Sequence, residues 1–282
     1  MPFSRVYLEI TNCCNLACSF CPGTTRRAAF LTVAQFTHLA GALRGQTRFL
    51  YFHVMGEPLL HPDLPELLDI AGRMGFRVVL TTNGTLLPKR QRELLAAQAL
   101  HKVSVSLHSF EANSGVDMEH YLAGCTDFGL AASEAGILID YRLWNLDGAE
   151  TRGQNEQNDA ILNHLHAAYP GNWTQNTWGW RLRDRTFIHY GEKFDWPSPD
   201  APDHGEAGTC RALRDQLAVL CDGTVVPCCL DGEGRIPLGN LLAQPLDEIL
   251  AAEPARSIAA GFALQKRLHP LCRRCGYAQR FR

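Results

Sequence analysis

Three cysteines near the start of the chain have the spacing of a metal-binding loop. Cys14, Cys18 and Cys21 form a C-x3-C-x2-C pattern. Such a loop brings three soft thiolates together, and thiolates are the ligands that select iron–sulfur clusters or zinc. A closed structural site would need a fourth nearby ligand. Cys13 adjoins Cys14, so one short loop can hardly aim both at the same metal, and no histidine precedes Cys21. The spacing therefore suits three corners of a cluster whose fourth iron is open.

Further motifs follow the next three predicted strands in order. Met-Gly-Glu-Pro occupies 55–58, Thr-Thr-Asn-Gly occupies 81–84, and Ser-Val-Ser-Leu-His-Ser occupies 104–109. Together with the cysteine loop and Phe20, this series resembles the radical S-adenosylmethionine (SAM) superfamily over most of residues 5–150. Four ordered matches are more specific than a cysteine triplet alone, because such triplets also occur in zinc modules. The resemblance implies that the amino and carboxylate groups of SAM occupy the open iron.

The resemblance also assigns contacts to SAM. The expected cofactor-binding residues are Phe20, Gly56, Glu57, Asn83, Ser106 and Arg142. Gly56 would permit close backbone approach, and Glu57 would offer a carboxylate to the SAM ammonium group. Asn83 and Ser106 could hydrogen-bond the ribose or the methionine carboxylate. Arg142 could pair with that carboxylate or with an acid of the barrel, and the aromatic beside the last cysteine would cover the cluster or the adenine. Ordinary turns, strand hydroxyls and core packing are the structural alternatives.

A second cysteine set lies in the C-terminal region. Cys210 and Cys228 flank residues 217–226, which read as a β-hairpin because an Asp-Gly pair suits a tight turn between apolar strands. The hairpin would bring these two cysteines toward one end, and the C-x2-C pair of Cys272 and Cys275 would complete four thiolates. Spacing alone does not separate a structural zinc from an iron–sulfur cluster at such a site.

The G-x4-C element and the late C-x2-C pair resemble the SPASM and twitch auxiliary-cluster domains of radical SAM enzymes. Because the chain ends seven residues after Cys275, the resemblance implies the shorter twitch type with one auxiliary [4Fe–4S] cluster. The expected metal ligands are Cys14, Cys18, Cys21, Cys210, Cys228, Cys272 and Cys275. Among the other cysteines, Cys221 and Cys229 could exchange roles with these ligands. Cys125 is most simply a buried small hydrophobe.

Short β-rich runs alternate with helical patterns in the first two-thirds of the chain. The predicted strands lie near 5–10, 48–54, 77–82, 102–107 and 137–143. The predicted helices lie near 32–44, 63–74, 88–98, 117–135 and 157–168. This alternation predicts βαβ units and a parallel sheet, with the suspected site residues at its carboxyl edge.

Periodicity alone does not separate a barrel from a doubly wound sheet. The family resemblance implies an α/β fold in which a partial (β/α)6 TIM-like barrel is completed by a sixth strand near 180–189. A small twitch-type domain, hairpin plus helix, would follow. The predicted organisation is a barrel over 1–195, a linker over 196–208 and an auxiliary iron–sulfur domain over 209–282.

Composition is that expected of an intracellular enzyme. The 282 residues carry a net charge of -2, which gives no general reason to expect nucleic acid or an anionic membrane as partner. No leader is evident, and no apolar run approaches the roughly 18 residues of a membrane span. We therefore predict a cytoplasmic protein, in which a set of eleven cysteines indicates metal binding rather than disulfide bonds.

An aromatic segment at 169–204 carries four tryptophans, and Arg181, Arg183 and Arg185 alternate within it as on the open face of a strand. It could be a stacking platform for a base, a sugar or a peptide. The favoured interpretation is a last barrel strand and linker whose aromatics pack against the auxiliary domain.

The resemblance implies that an electron donor of the flavodoxin or ferredoxin type reduces the first cluster, and that SAM then yields a 5′-deoxyadenosyl radical. The ligand spacing resembles a radical SAM alcohol dehydrogenase, so the expected reaction is a dehydrogenase-type oxidation of a small molecule. The alternatives are a maturase that forms a crosslink, thioether or epimer in a peptide substrate, a nucleic-acid modification enzyme, and a non-catalytic iron–sulfur or zinc protein. The strand-end candidates for a base are Glu9, His53, His108 and Glu111, and none of them is assigned.

Overall fold

The structure is a computed structural model that describes residues 3–113, 115–146 and 156–281, with the backbone alone for Leu146 and Glu156. The strands are β1 (Arg5–Leu8), β2 (Phe49–Phe52), β3 (Arg77–Thr82), β4 (Leu100–Ser106), β5 (Leu138–Leu146), β6 (Thr174–Asn176), β7 (Gly179–Arg183), β8 (Thr186–Glu192), β9 (Gln216–Val219), β10 (Thr224–Val226) and β11 (Gly239–Asn240). The helices are α1 (Val33–Ala42), α2 (Leu64–Arg73), α3 (Leu87–Ala96), α4 (Met118–Glu134), α5 (Glu156–Ala168), α6 (Leu246–Ala251), α7 (Ala255–Ala263) and α8 (Pro270–Arg273). Short 3-10 turns lie at Pro58–Leu60, Leu107–Ala112 and Gly276–Arg280.

All eleven strands belong to one sheet in the order β11-β10-β9-β1-β2-β3-β4-β5-β8-β7-β6. The seven middle strands, from β9 to β8, run parallel to one another. At either edge, two antiparallel strands extend the sheet. Strands β1 to β5 and β8 are the six strands of the predicted partial barrel, and helices α1 to α5 lie between them in sequence.

The helices form where the local sequence supports them. At the start of α1, Thr32 and Gln35 make a reciprocal capping box, in which each side chain accepts a hydrogen bond from the other's backbone N–H. Helix α2 buries an apolar stripe with the spacing of one helical face, namely Leu64, Leu67, Leu68 and Ala71. The same core contains the buried residues of the barrel strands.

The predicted sixth strand at 180–189 is wrong in one respect, because two strands occupy this segment. β7 runs antiparallel to β8, and β8 runs parallel to β5. Arg185 lies in the turn between them with a φ of 57°. The alternation of Arg181, Arg183 and Arg185 continues into this turn, which is why the sequence pattern resembles one long strand. Arg181 pairs with Asp184 at 3.2 Å, and Arg183 lies 3.9 Å from Glu134.

The predicted C-terminal hairpin is present as β9 and β10. However, β9 also pairs in parallel with β1, from Arg5 opposite Gln216 to Leu8 opposite Val219. It covers an edge of the barrel sheet whose backbone groups would otherwise lack partners. The sheet thus crosses the predicted boundary between barrel and auxiliary domain, and the boundaries at 195 and 208 stay predictions.

Within the described ranges, no helix has the length and apolar character needed to cross a membrane.

Candidate active site

A cavity of about 2090 Å³ opens within the barrel and beneath the C-terminal segment. Its wall includes eight cysteines, namely Cys14, Cys18, Cys21, Cys210, Cys228, Cys229, Cys272 and Cys275. These include all seven predicted ligands. The volume exceeds the roughly 300–1,000 Å³ of a typical small-molecule site, so the cavity has room for more than one bound group.

The predicted SAM contacts divide into two groups. Four of them line the cavity, namely Phe20, Gly56, Ser106 and Arg142. Within the part of the chain that the structure describes, Glu57 and Asn83 do not line it. The direct contact of each residue with SAM stays a prediction, but the structure gives the last two a clear supporting role.

The N-terminal cysteines lie in the loop that follows β1. Burial, followed by the neighbouring thiols of Cys14 and Cys21, raises the pKa of Cys18 to about 12. Three thiolates this close would repel one another, and bound iron removes that cost. The donor set therefore suits a cluster. Across the described ranges, no group of three His, Cys, Asp or Glu side chains is arranged around a single metal ion.

The turn at Gly56 supports the cysteine loop. Gly56 has a φ of 78°, and a Cβ placed on it would lie 2.7 Å from the carbonyl oxygens of Thr11 and Cys13. The backbone N–H of Glu57 donates to the Cys13 carbonyl at 2.7 Å. The predicted close backbone approach at Gly56 is thus made by the chain itself.

The carboxylate of Glu57 is buried and links its own turn to the end of β3. It accepts hydrogen bonds from the Leu59 N–H at 3.0 Å, the Thr82 hydroxyl at 2.8 Å and the Asn83 N–H at 2.7 Å. Burial raises the pKa of Glu57 to about 7, although these three donors oppose the shift. The Met-Gly-Glu-Pro and Thr-Thr-Asn-Gly motifs are therefore bound to each other through this side chain.

Asn83 ties the end of β3 to the cysteine loop. Its side-chain nitrogen Nδ2 donates to the Asn15 side-chain oxygen at 3.0 Å, and its side-chain oxygen Oδ1 accepts from the Thr85 hydroxyl at 2.7 Å. The Tyr121 hydroxyl donates to its carbonyl at 2.7 Å. These hydrogen bonds stabilise an Asn-Gly turn at the Thr-Thr-Asn-Gly motif, and such a turn was the structural alternative to SAM binding.

Arg142 and Phe20 occupy the cavity wall. The guanidinium carbon of Arg142 lies 3.6 Å from the centre of the Trp144 ring, and its Nε has no hydrogen-bond partner among the described residues. A buried guanidinium whose Nε lacks a partner suits an anionic ligand. The Phe20 ring lies 4.8 Å from the ring of His108, and the Trp196 indole donates to the Phe20 carbonyl at 2.9 Å.

The C-terminal cysteines form a second group of thiols. Burial raises the pKa of Cys228 well above the usual range, and the nearby thiols of Cys229, Cys210 and Cys275 contribute. Arg267, whose exposure is only 1%, opposes this effect at Cys210 and Cys275 with its positive charge. A buried cation beside clustered thiols suits a bound group that holds them as thiolates.

The four cysteines that were not predicted as ligands have different surroundings. The thiol of Cys13 points to the Ala29 carbonyl at 3.9 Å, Cys125 is buried, and Cys221 lies 3.7 Å from a guanidinium nitrogen of Arg26. In the described structure these three do not line the cavity, whereas Cys229 does.

Two carboxylates that were candidate bases have structural partners. Glu9 is fully buried, and both of its oxygens accept from Arg26 at 2.8 Å. Glu9 also accepts from the Cys221 N–H, so this ion pair joins the cysteine loop to the C-terminal region. Glu111 accepts from the Ser19 backbone at 3.1 Å and hydroxyl at 2.5 Å.

Both histidine candidates line the cavity. Burial, followed by the charges of Arg142 and Arg5, lowers the pKa of His53 to about 3. Burial also lowers the pKa of His108 to about 4, and its Nδ1 lies 3.0 Å from the Arg142 carbonyl. Both rings are therefore neutral at physiological pH.

A polar cluster on the barrel wall was missed by the sequence reasoning. Lys102 and His189 both contact Asp140, and all three line the cavity. The available signal was the alternation of Lys102, Ser104 and Ser106 along one predicted strand, which places polar side chains on an inner barrel face.

Aromatic residues of the 169–204 segment pack mostly within the protein. Phe194 lies 5.0 Å from the Tyr277 ring and 5.4 Å from the Trp196 ring, so this part meets the C-terminal segment as favoured from the sequence. Trp173 stacks on His166 at 3.7 Å. Trp178, in contrast, is 70% exposed.

Comparison with known proteins identifies both regions of the chain. The model of the radical SAM superfamily matches residues 8–124, and that of the SPASM iron–sulfur cluster-binding domain matches residues 210–276. A tungsten-containing aldehyde ferredoxin oxidoreductase cofactor-modifying protein of Pyrococcus furiosus is 30% identical over 146 residues, or 49% of this chain and 38% of that protein. The PqqA peptide cyclase of Streptomyces rochei is 34% identical over 112 residues, or 38% of this chain and 30% of that protein. The chain thus spans about a third of the length of these curated relatives.

Two solved structures share the fold. BtrN in complex with AdoMet and 2-DOIA has a TM-score of 0.63 and 19% identity, covering 97% of this chain and 92% of that chain. SuiB of Streptococcus suis bound to S-adenosylmethionine has a TM-score of 0.63 and 17% identity, and the match covers 91% of this chain and 68% of that chain. These likenesses confirm the predicted α/β fold with a partial barrel and a small C-terminal domain.

Proposed function

We propose that this chain, which belongs to the radical SAM superfamily and carries a C-terminal SPASM iron–sulfur domain, is an enzyme that oxidises a small molecule by removing a hydrogen atom from carbon. Its cofactors are SAM and two [4Fe–4S] clusters, one that binds SAM and one auxiliary. The observation that carries the proposal is the convergence of both cysteine sets on one cavity.

We assign the first cluster to Cys14, Cys18 and Cys21, and the auxiliary cluster to Cys210, Cys228, Cys272 and Cys275. When bound and reduced, the first cluster and SAM supply the 5′-deoxyadenosyl radical that takes the substrate hydrogen. Phe20, Ser106 and Arg142 would hold SAM in the cavity. Gly56, Glu57 and Asn83 keep the cysteine loop in place through the hydrogen bonds and close contacts described above.

Aromatic side chains border the cysteine loop and the cavity. The Trp196 indole and the His108 ring contact Phe20 beside the loop, and Phe194 packs on Tyr277 in the cavity wall. Bound SAM and substrate, together with these rings, would exclude water and so protect a reactive intermediate from side reactions. If Cys210, Cys228, Cys272 and Cys275 supply all four ligands, the auxiliary cluster would have no iron free for substrate and would be suited to accept an electron. A flavodoxin- or ferredoxin-type donor would deliver the electron that starts the reaction.

A peptide maturase is the second candidate. The observations that favour it are the peptide cyclase among the relatives and a neighbouring structure of SuiB bound to the precursor peptide SuiA. The large cavity volume is compatible with a peptide segment. Nucleic-acid modification stays a prediction from the aromatic and arginine segment, in which Arg181 and Arg183 have acidic neighbours on the protein surface.

The test is anaerobic iron and sulfide quantitation with SAM cleavage assays. The wild type should hold about eight irons, and the Cys14/Cys18/Cys21 triple alanine variant about four with no 5′-deoxyadenosine formed. Cys125→Ala is the matched control, since that thiol is buried away from the cavity, and it should retain both properties. About four irons and one zinc in the wild type would make the C-terminal site structural. SAM cleavage by the triple variant would overturn the proposal.

A further inference from the structure

Two arginine side chains on the wall of the cavity have buried donor atoms without partners. Arg5 begins β1 and Arg142 lies within β5, and both line the cavity. Among the described residues, the Nε of each has no hydrogen-bond partner, and no carboxylate lies within 4.0 Å of either guanidinium. A guanidinium is charged throughout the physiological pH range and can only donate hydrogen bonds. Because buried donors and charges are costly without a partner, the two groups indicate that this wall binds an anion.

The two arginines approach one another across the interior of the barrel. In the sheet, β1 and β5 are separated by three strands. Burial lowers the pKa of His53, which directly follows β2, and the positive charges of Arg142 and Arg5 lower it further. Both guanidiniums therefore lie near this ring, which is neutral and adds no charge of its own. The Nδ1 of His53 is also buried without a hydrogen-bond partner among the described residues.

An aromatic ring lies against each guanidinium. The guanidinium carbon of Arg5 lies 5.6 Å from the centre of the Tyr51 ring, and that of Arg142 lies 3.6 Å from the centre of the Trp144 ring. Such cation–π contacts orient a guanidinium through its face. The N–H groups lie in its plane and stay available, in the fork that matches a carboxylate or a phosphate.

The carboxylates of the cavity wall do not balance these two charges. Among the described residues, the wall includes Asp140, Glu192, Asp195 and Asp231. Asp140 lies 2.6 Å from Lys102 Nζ, and Asp231 accepts hydrogen bonds from two backbone N–H groups. Glu192 and Asp195 are exposed to solvent. The interior of the barrel thus has an excess of positive charge around His53.

We propose that the substrate is an anion, a small molecule whose carboxylate or phosphate group binds to Arg5 beside His53. The proposal rests on the proposed function, because this ligand is the substrate of the proposed oxidation. Arg142 stays assigned to the carboxylate of SAM. Each cation then has one anionic partner, and the substrate is held in the same cavity as the cofactor.

Binding is measured by calorimetry on the anaerobic holoenzyme with saturating SAM and without reductant. The probes are glycerol 3-phosphate, glycerate and glycerol, which share a three-carbon skeleton and differ in the anionic group. The wild type should bind one of the two anions at least about 10-fold more tightly than glycerol, as expected for a charge-assisted hydrogen bond. The preferred anion identifies the group as a phosphate or a carboxylate. Equal affinity for all three probes, or no binding of either anion at millimolar concentration, would overturn the proposal.

Variants locate the binding group. Arg5→Met should lower the affinity for the preferred anion by about 10-fold and leave that for glycerol unchanged. Arg44→Met is the matched control, since Arg44 is exposed and lies outside the cavity wall, and it should bind the probes as the wild type does. Equal losses in both variants would reduce the effect to net charge and overturn the proposal. If Arg5→Met does not fold, Arg5→Lys decides, because an unchanged affinity without the planar fork would exclude the direct contact.

Two further measurements separate this site from its neighbours. The charge of Arg5 also acts on the thiol of Cys229, whose pKa burial raises to about 11, so Arg5 lies close to the C-terminal cysteines. A shifted reduction potential of the auxiliary cluster in Arg5→Met, with anion binding unchanged, would overturn the proposal. Competition between the anionic probes and SAM would also overturn it, because the probes would then occupy the SAM site. A wild type that cleaves no SAM on reduction would overturn the proposed function instead, whereas anion binding, measured without reductant, decides this site separately.

Discussion

The contact between Gly56 and the cysteine loop makes a sharp prediction for Gly56→Ala. The new methyl carbon would lie 2.7 Å from the carbonyl oxygens of Thr11 and Cys13, whereas ordinary contacts begin at 3.4 Å. Both oxygens are backbone atoms, so the loop itself must move by about 0.7 Å. The φ of 78° adds a strain of roughly 1–3 kcal/mol for a residue other than glycine.

A displacement of this size falls on the loop that carries the proposed ligands of the first cluster. Misplacement of reacting groups by about 1 Å costs on the order of 100-fold in rate. We therefore expect Gly56→Ala to lower 5′-deoxyadenosine formation by about 100-fold and to reduce iron toward about four per chain. The assay is anaerobic SAM cleavage with a chemical reductant, paired with iron analysis of the same sample.

Gly75→Ala is the matched control because it separates the effect of backbone strain from that of a steric clash. Gly75 has a φ of 87°, yet a Cβ placed on it meets nothing within 4 Å. This variant should lose stability but keep its iron and its rate of SAM cleavage. The reasoning would be refuted if Gly56→Ala retained full iron and cleaved SAM within twofold of Gly75→Ala.

Three further variants test individual side chains. Arg26→Met should lower the free energy of unfolding by about 3–5 kcal/mol, because it leaves the Glu9 carboxylate buried without its cation; the double variant with Glu9→Gln should recover much of that loss in denaturant unfolding. Because the folded pKa of Glu57 is about 7 against an ordinary 4.5, the folded state binds more protons in this window. Glu57 should therefore contribute a fall of about 3 kcal/mol in the free energy of unfolding as pH rises from 4.5 to 7. Because His53 and His108, whose pKa values are lowered, give both proteins a slope of the opposite sign, the fall is measured as the difference between the wild type and Glu57→Gln. Arg267→Met should lower the reduction potential of the auxiliary cluster on the order of 50 mV by removing a buried positive charge; an unchanged potential in electrochemical titration would contradict the role assigned to Arg267.

Much of the fold was accessible from the sequence because local patterns determine it. Alternation of apolar β-rich runs with amphipathic helical segments predicted β1 to β5 and α1 to α5 within a few residues. The cysteine spacings and the ordered motifs indicated the superfamily, since the chemistry of thiolate ligands limits which residues can serve. An Asp-Gly pair between apolar runs was enough to predict the C-terminal hairpin.

Tertiary structure decided what each side chain does. Glu57 and Asn83 follow strands, as predicted for residues of the site, and the packing of two loops decides which protein groups each of them hydrogen-bonds. The joining of β9 to β1 depends on pairing between residues more than 200 positions apart. The cluster of Lys102, Asp140 and His189 likewise requires the register of three strands. No local pattern encodes such contacts, because they arise only when distant segments share one sheet and one core.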